Sequence, residues 1–273
     1  MTAAADSPPP GPAAHPYRWT MLAGAWLIYY CFGLTTVVMA PLVGTITEEL
    51  GLSHSAMGSV LGAWPLVYIA SAVPCGAFLD RFGVRRALFL GAIIMALSGA
   101  LRALAVDHAS LFGAVAVFGL GGPLISIGAP KLVSLWFEGR ERGLAMGIYV
   151  TGPALGGITS LSLTNSVMMP LAGGNWRWVL LAYAAFVAGS GIAWLAVSAH
   201  RASRAAERAA AEEPRRRQLQ VFARLLGLKV VRIVLVMSIG IFFFNHALNN
   251  WLPEILRSGG MDASSAGYWA SIP

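Results

Sequence analysis

Seven apolar stretches of about 20 residues or more, each bounded by charge, proline or glycine, constrain this chain more than any other feature. They run from Trp19 to Val43, His54 to Phe78, Ala87 to Val106, Ser110 to Phe137, Gly143 to Pro170, Trp176 to Ala199 and Val230 to Pro253, and an eighth opens near Ser264. A hydrocarbon core of about 30 Å is crossed by roughly 20 helical residues, and lipid offers no partner for an unpaired backbone amide. The expected fold class is therefore an all-α polytopic membrane protein. The 57% hydrophobic and 11% charged composition excludes an ordinary soluble domain.

The placement of the bases gives the orientation. With the N-terminus inside, fifteen bases fall in cytoplasmic segments: Arg18; Arg81, Arg85 and Arg86; Arg140 and Arg142; and nine from Arg201 to Arg232. Only Arg102, Arg177 and Arg257 fall outside, and Lys131 lies within a span. Cytoplasmic loops of membrane proteins carry such an excess. The net charge of +7 is thus assigned to topology and to anionic lipid at the cytoplasmic face, not to nucleic acid. Arg102, near the outer end of the third span, is expected to snorkel towards the surface.

Four regions follow. Residues 1–17 hold five prolines and no Lys or Arg, and are expected to be a disordered cytoplasmic tail without the basic start of a signal peptide. Residues 18–199 form a six-helix transmembrane bundle. Residues 200–229 form a basic cytoplasmic linker, in which Leu219, Phe222, Leu225 and Leu226 recur at helical spacing; it either lies on the membrane or is solvated. Residues 230–273 start a second bundle. That bundle would be cut short at Pro273, so the sequence reads as part of a longer, two-halved protein whose remaining helices are a partner of this piece. Cys31 and Cys75 sit far apart inside spans and are expected to pack rather than pair.

Between the second and third spans lies Gly76-Ala77-Phe78-Leu79-Asp80-Arg81-Phe82-Gly83-Val84-Arg85-Arg86. Gly76 is expected to let helix backbones approach, Gly83 to take a positive φ in the turn, Asp80 to meet a helix N-terminus or an Arg, and Arg85 and Arg86 to rest at headgroups. A second short hinge, Trp136-Phe137-Glu138-Gly139-Arg140-Glu141-Arg142-Gly143, joins the fourth and fifth spans. The fifth span then carries Gly152-Pro153-Ala154-Leu155-Gly156-Gly157, where the proline bends the helix and the glycines allow a close neighbour.

The two hinges and the six-span half resemble the major facilitator superfamily, whose signature is Gly, three residues, Asp, a base, any residue, Gly and further bases. The resemblance implies a six-helix N-terminal bundle plus the start of a second, and alternating access by rocking of two halves. It also implies that Asp80 latches the cytoplasmic side against the second half. On this basis Gly76, Asp80, Arg81, Gly83, Arg85, Arg86, Arg140, Arg142, Gly152, Pro153, Gly156 and Gly157 are assigned to gating. The Gly152–Gly157 element is similar to one in proton-coupled drug antiporters. The Arg those proteins carry on the fourth helix is replaced by Val115, which argues against plain drug antiport. Gly128-Ala129-Pro130-Lys131 and Asn249-Asn250-Trp251-Leu252-Pro253-Glu254 are similar to the cyanate-permease and nitrate/nitrite-porter-like branch.

Polar groups inside spans are costly in lipid and face the bundle interior. The richest cluster is Asn245, His246, Asn249 and Asn250 on adjoining faces of the seventh span. Thr35, Thr36, Trp64 and Tyr68 offer further polar atoms. In the family the first, fourth and seventh helices line the pathway, so Tyr29, Tyr30, Lys131, Asn245, His246 and Asn249 are the substrate-site candidates. The histidines are scattered, with no metal spacing, and the sequence carries no Gly-Lys-Ser/Thr phosphate loop, so neither an enzyme nor a metal or nucleotide cofactor is expected. The expected function is secondary transport of a small anionic or organic solute across the plasma membrane, driven by a proton or solute gradient. A drug exporter, and a non-transporting sensor or assembly partner built on a transporter half, are the alternatives.

Overall fold

The computed structural model describes residues 15–212, Leu225 and residues 227–272. The expected tail as far as residue 14, and the linker positions Leu219, Phe222 and Leu226, lie outside the described residues. Among the described residues seven helices are long and apolar enough to cross a membrane. The chain runs α1 (Arg18–Val37), a 3-10 turn (Ala40–Leu42), α2 (Val43–Leu50), α3 (His54–Phe82), α4 (Val84–Ala103), α5 (His108–Trp136) and α6 (Gly139–Leu163). A π turn (Thr164–Met168) and the short α7 (Met169–Leu171) extend α6, followed by α8 (Trp176–Ser198), α9 (Arg201–Glu212), α10 (Lys229–Ser258) and α11 (Ala263–Ala270).

Short polar residues set where the spans begin. Ser53 accepts from the Ala56 amide, Asn175 from Arg177, and Asp262 from Ser264 and Ser265. Asp107 and Ser110 form a reciprocal capping box at the start of α5, and the Ser110 hydroxyl and amide hold the Asp107 carboxyl below its ordinary pKa. These groups satisfy helix amides that would otherwise enter the membrane unpaired.

Lipid is as apolar as leucine, so helices associate through close packing and interhelical hydrogen bonds. Accordingly α3 packs along α5, α4 along α5 and α8, and α1 along α6. The Ser71 hydroxyl donates to the Gly119 carbonyl at 2.7 Å, and Ser98 to Ala114 at 2.7 Å. Cys31 and Cys75 are both buried and unpaired, and the Cys75 thiol points at the Leu120 carbonyl at 3.3 Å. Trp136, Trp176, Trp194 and Phe118 fill the interior.

The bundle has a hinge end, carrying Gly76–Arg86, and a far end. At the far end Glu49 accepts from the Trp176 indole at 2.6 Å and from Arg177 at 2.8 Å, while Arg177 also reaches the Ala105 carbonyl. In the π turn, the Asn165 amide donates to Pro41 at 2.9 Å and to Ala263 at 3.2 Å, joining α11 to the bundle. The long α10 touches the bundle through its far-end half. Its hinge-end half, from Val230 to Phe244, stands exposed, with Phe243 at 75%.

Gly76 departs from its expected role. A Cβ added there meets nothing within 4 Å, so no helix backbone approaches it in this conformation. Because alanine suits a helix interior better than glycine by about 1 kcal/mol, Gly76→Ala is expected to leave the melting temperature unchanged or slightly raised in a detergent thermal-shift measurement.

Candidate functional site

A cavity of about 480 Å³ lies between the bundle and α10–α11. One wall is Phe32, Gly33 and Thr36 of α1 with Trp64 of α3, another is Pro153, Ala154 and Gly157 of α6, and the third is Asn245, His246, Asn249 and Asn250 of α10. The i, i+4 spacing brings the α10 amides together: Asn249 donates to the Asn245 carbonyl and side-chain oxygen, both at 2.9 Å. Asn250 donates to the His246 carbonyl at 2.8 Å, while its own buried Oδ1 has no hydrogen-bond donor. The His246 ring is held between Phe242, stacked at 5.8 Å, and Trp64, edge-on at 5.4 Å. The lining combines aromatic faces with amide donors and acceptors and, among the described residues, no Asp, Glu, Lys or Arg. Such a site can bind a small hydroxylated solute by stacking and hydrogen bonding.

At the hinge end a cleft of about 420 Å³ is lined by Leu79 to Arg86, Lys131, Leu135, Arg204 and Glu207. Lys131 donates to Asp80 at 2.6 Å, joining the ends of α3 and α5. Gly83 takes φ 85°, a left-handed conformation costly for any residue with a Cβ, so α3 turns straight into α4. Its missing side chain also leaves room for Glu207 of α9, whose carboxylate accepts from the Arg85 amide at 3.3 Å in the first turn of α4. A negative charge at that place suits the positive end of the helix. The Arg85 side chain donates to Ser198 at 3.1 Å, and the Trp194 indole donates to the Arg85 carbonyl at 2.9 Å. The second hinge is tied differently: Arg18 pairs with Glu141 at 2.9 Å and lies over the Phe137 ring.

The sequence profile described as the Major Facilitator Superfamily matches residues 25–273. The chain belongs to the major facilitator superfamily. Among its superfamily relatives, it is 29% identical over 84% of its length to the probable L-galactonate transporter of Escherichia coli K12, and 26% identical over 94% to the uncharacterized transporter YycB of Bacillus subtilis. It spans 52% and 62% of those two proteins. The fold is similar to that of a bacterial homologue of the human lysosomal transporter Spinster, with a TM-score of 0.70 at 18% identity, covering 94% of this chain and 59% of that one.

The superfamily hinge residues gather at one end, but not all in one role. Arg81 and Arg86 are exposed, as are Arg140 and Arg142, whereas Arg85 is drawn into the α8 contact instead of resting at headgroups. Gly152, Pro153 and Gly156 pack against α1 of the same bundle: Gly156 faces the Tyr30 carbonyl, and Pro153 faces Gly33. Their close contact is thus with α1, and Gly157 alone among the glycines of that element lines the cavity.

The substrate-site candidates divide in three. Asn245, His246 and Asn249 line the cavity. Tyr29 stacks on Phe32 at 5.6 Å and on Tyr149 at 5.4 Å, one ring behind the wall, while Tyr30 turns to Trp26 and Phe186. Lys131 sits in the hinge cleft with Asp80, apart from the cavity. Thr36, Trp64 and Asn250, which the sequence marks as polar groups within spans but which are not among the substrate-site candidates, also line the cavity. Arg102 does not snorkel: it is 1% exposed and turned inward, because its guanidinium reaches the Thr35 carbonyl at the end of α1.

Proposed function

We propose that the protein is a secondary active transporter of a small hydroxylated organic acid, working by alternating access and driven by a proton or solute gradient. The observation that carries this reading is the cavity in which the amides of Asn245, Asn249 and Asn250 face the aromatic and threonine wall of α1 and α3. Side-chain amides donate and accept together, as vicinal hydroxyls require, and aromatic faces suit the carbon side of a polyol. The similarity to a protein named as an L-galactonate transporter supports a sugar acid as the substrate class.

The excess of bases at the hinge end supports a plasma-membrane orientation with that end and the N-terminus in the cytoplasm. On that assignment the contacts of α10 and α11 with the bundle, including the Asn165 bridge, lie at the outer side. The exposed Arg81, Arg86, Arg140 and Arg142 then meet anionic headgroups. Residues 18–199 act as one rocking half, 200–229 as the linker, and 230–273 as the beginning of the other half, which is this half's partner in transport.

Uptake of labelled L-galactonate and D-galactonate into proteoliposomes containing the full-length gene product tests this reading. Saturable accumulation that collapses when the proton gradient is dissipated is the expected result. Efflux of a cationic dye with no sugar-acid uptake would give the exporter reading precedence, and neither activity would favour the sensor.

A further inference from the structure

We infer that Arg102 is the positioning residue that makes the central cavity select for anions, acting through the cavity wall and not by touching the substrate. The inference rests on the transport reading above. The cavity holds no Asp, Glu, Lys or Arg among the described residues, and a sugar-acid substrate would be favoured by a cation near its wall. Arg102 supplies one. Its guanidinium lies over the Phe118 ring at 5.4 Å, and Phe118 in turn packs 5.4 Å from both Phe32 and Trp64, which line the cavity. The charge is therefore within about 11 Å of the Phe32 and Trp64 rings, by way of the fully buried Phe118.

Two further facts separate this from a packing role. Arg102 is 1% exposed and donates one hydrogen bond, from Nη1 to the Thr35 carbonyl at 3.1 Å. Its Nε and Nη2 are buried without partners, and no carboxylate pairs with it among the described residues. Capping the last turn of α1 would need one donor, which a glutamine can give without bringing a charge into the protein interior. An uncompensated buried cation is expensive there and marks function by default. Through a protein interior, a unit charge at that range changes the affinity for an anion by roughly tenfold.

The test uses the full-length gene product in proteoliposomes, with D-galactonate as the charged probe and galactitol as its uncharged counterpart. Wild type is expected to bind galactonate about tenfold more tightly than galactitol. Arg102→Gln should raise the galactonate KM by about tenfold, leaving the maximal rate and the galactitol affinity unchanged, while Arg102→Lys stays close to wild type. Galactonate and galactitol affinities that fall together in Arg102→Gln, or neither changing, would overturn the inference. Should Arg102→Gln fail to fold, equal affinity of wild type for the two probes overturns it and the tenfold preference supports it. If wild type handles neither probe, the sugar-acid reading fails by itself. Arg102 is then judged on inorganic anions: anion uptake lost in Arg102→Gln supports it, and transport confined to neutral or cationic solutes overturns it.

Discussion

Asp80→Asn is expected to slow transport by roughly fivefold while the protein still inserts and folds. The Asp80–Lys131 pair spans α3 and α5 with both side chains part-exposed, at 28% and 37%. Pairs of that exposure contribute at most about 1 kcal/mol to stability, so the melting temperature should move by only ~2 °C. Transport is expected to respond more strongly because the pair lies in the cleft with Arg81, Arg86, Arg204 and Glu207, and its loss is expected to change which hinge conformations are populated. A bias of about 1 kcal/mol between two conformations changes their ratio about fivefold. Initial uptake rates and detergent melting curves of Asp80→Asn, Lys131→Asn and the exchange Asp80→Lys with Lys131→Asp check this together. The exchange should recover part of the lost rate. Wild-type uptake in Asp80→Asn would sink the conformational role, and failure to insert would move Asp80 into the folding machinery.

The fold was legible because membrane solvent leaves few alternatives. Apolar runs of bilayer length must become helices, and Ser53, Asp107, Asn175 and Asp262 punctuate the starts of α3, α5, α8 and α11. The cavity was half legible. A polar stripe on a span has to face inwards, which put Asn245, His246 and Asn249 on its wall, but periodicity does not say which way a tyrosine on α1 turns. Tyr30 faces Trp26 and Phe186 because α6 occupies the other side at backbone distance. Lys131 was drawn to α5's end by a carboxylate 51 residues earlier in the chain, a pairing that no local pattern encodes. Arg102 was misread for a related reason. Nearness to a helix end suggests water, whereas the Thr35 carbonyl near the end of α1 and the Phe118 ring hold the side chain inside. At Gly128 a Cβ would press on the Leu88 and Leu79 side chains, so packing by itself gives a reason for glycine there.

Gly156→Val is expected to be the most damaging single change, lowering the detergent melting temperature by about 10 °C and abolishing uptake. A Cβ at Gly156 would land on the Tyr30 carbonyl oxygen and lie 2.7 Å from the Leu34 amide nitrogen. Both obstacles are backbone, so no rotamer change relieves them, and α1 and α6 must separate. Overpacking of this kind costs about 3 kcal/mol or more where the backbone has to move. The same seam is closed from the other side by Gly33 against Pro153, and Pro153 has already removed one helical hydrogen bond from α6, leaving less to resist the shift. Function suffers with stability because Gly33, Thr36, Pro153 and Gly157, which flank the seam, line the cavity. The neighbouring Gly157→Ala provides the contrast, since its Cβ would meet only the Val37 side chain at 3.2 Å, which can yield. That variant should melt within ~2 °C of wild type and retain uptake. Equal melting temperatures for Gly156→Val and Gly157→Ala would mean that α1 and α6 are not held at backbone distance. The cavity wall would then have to be drawn without that contact.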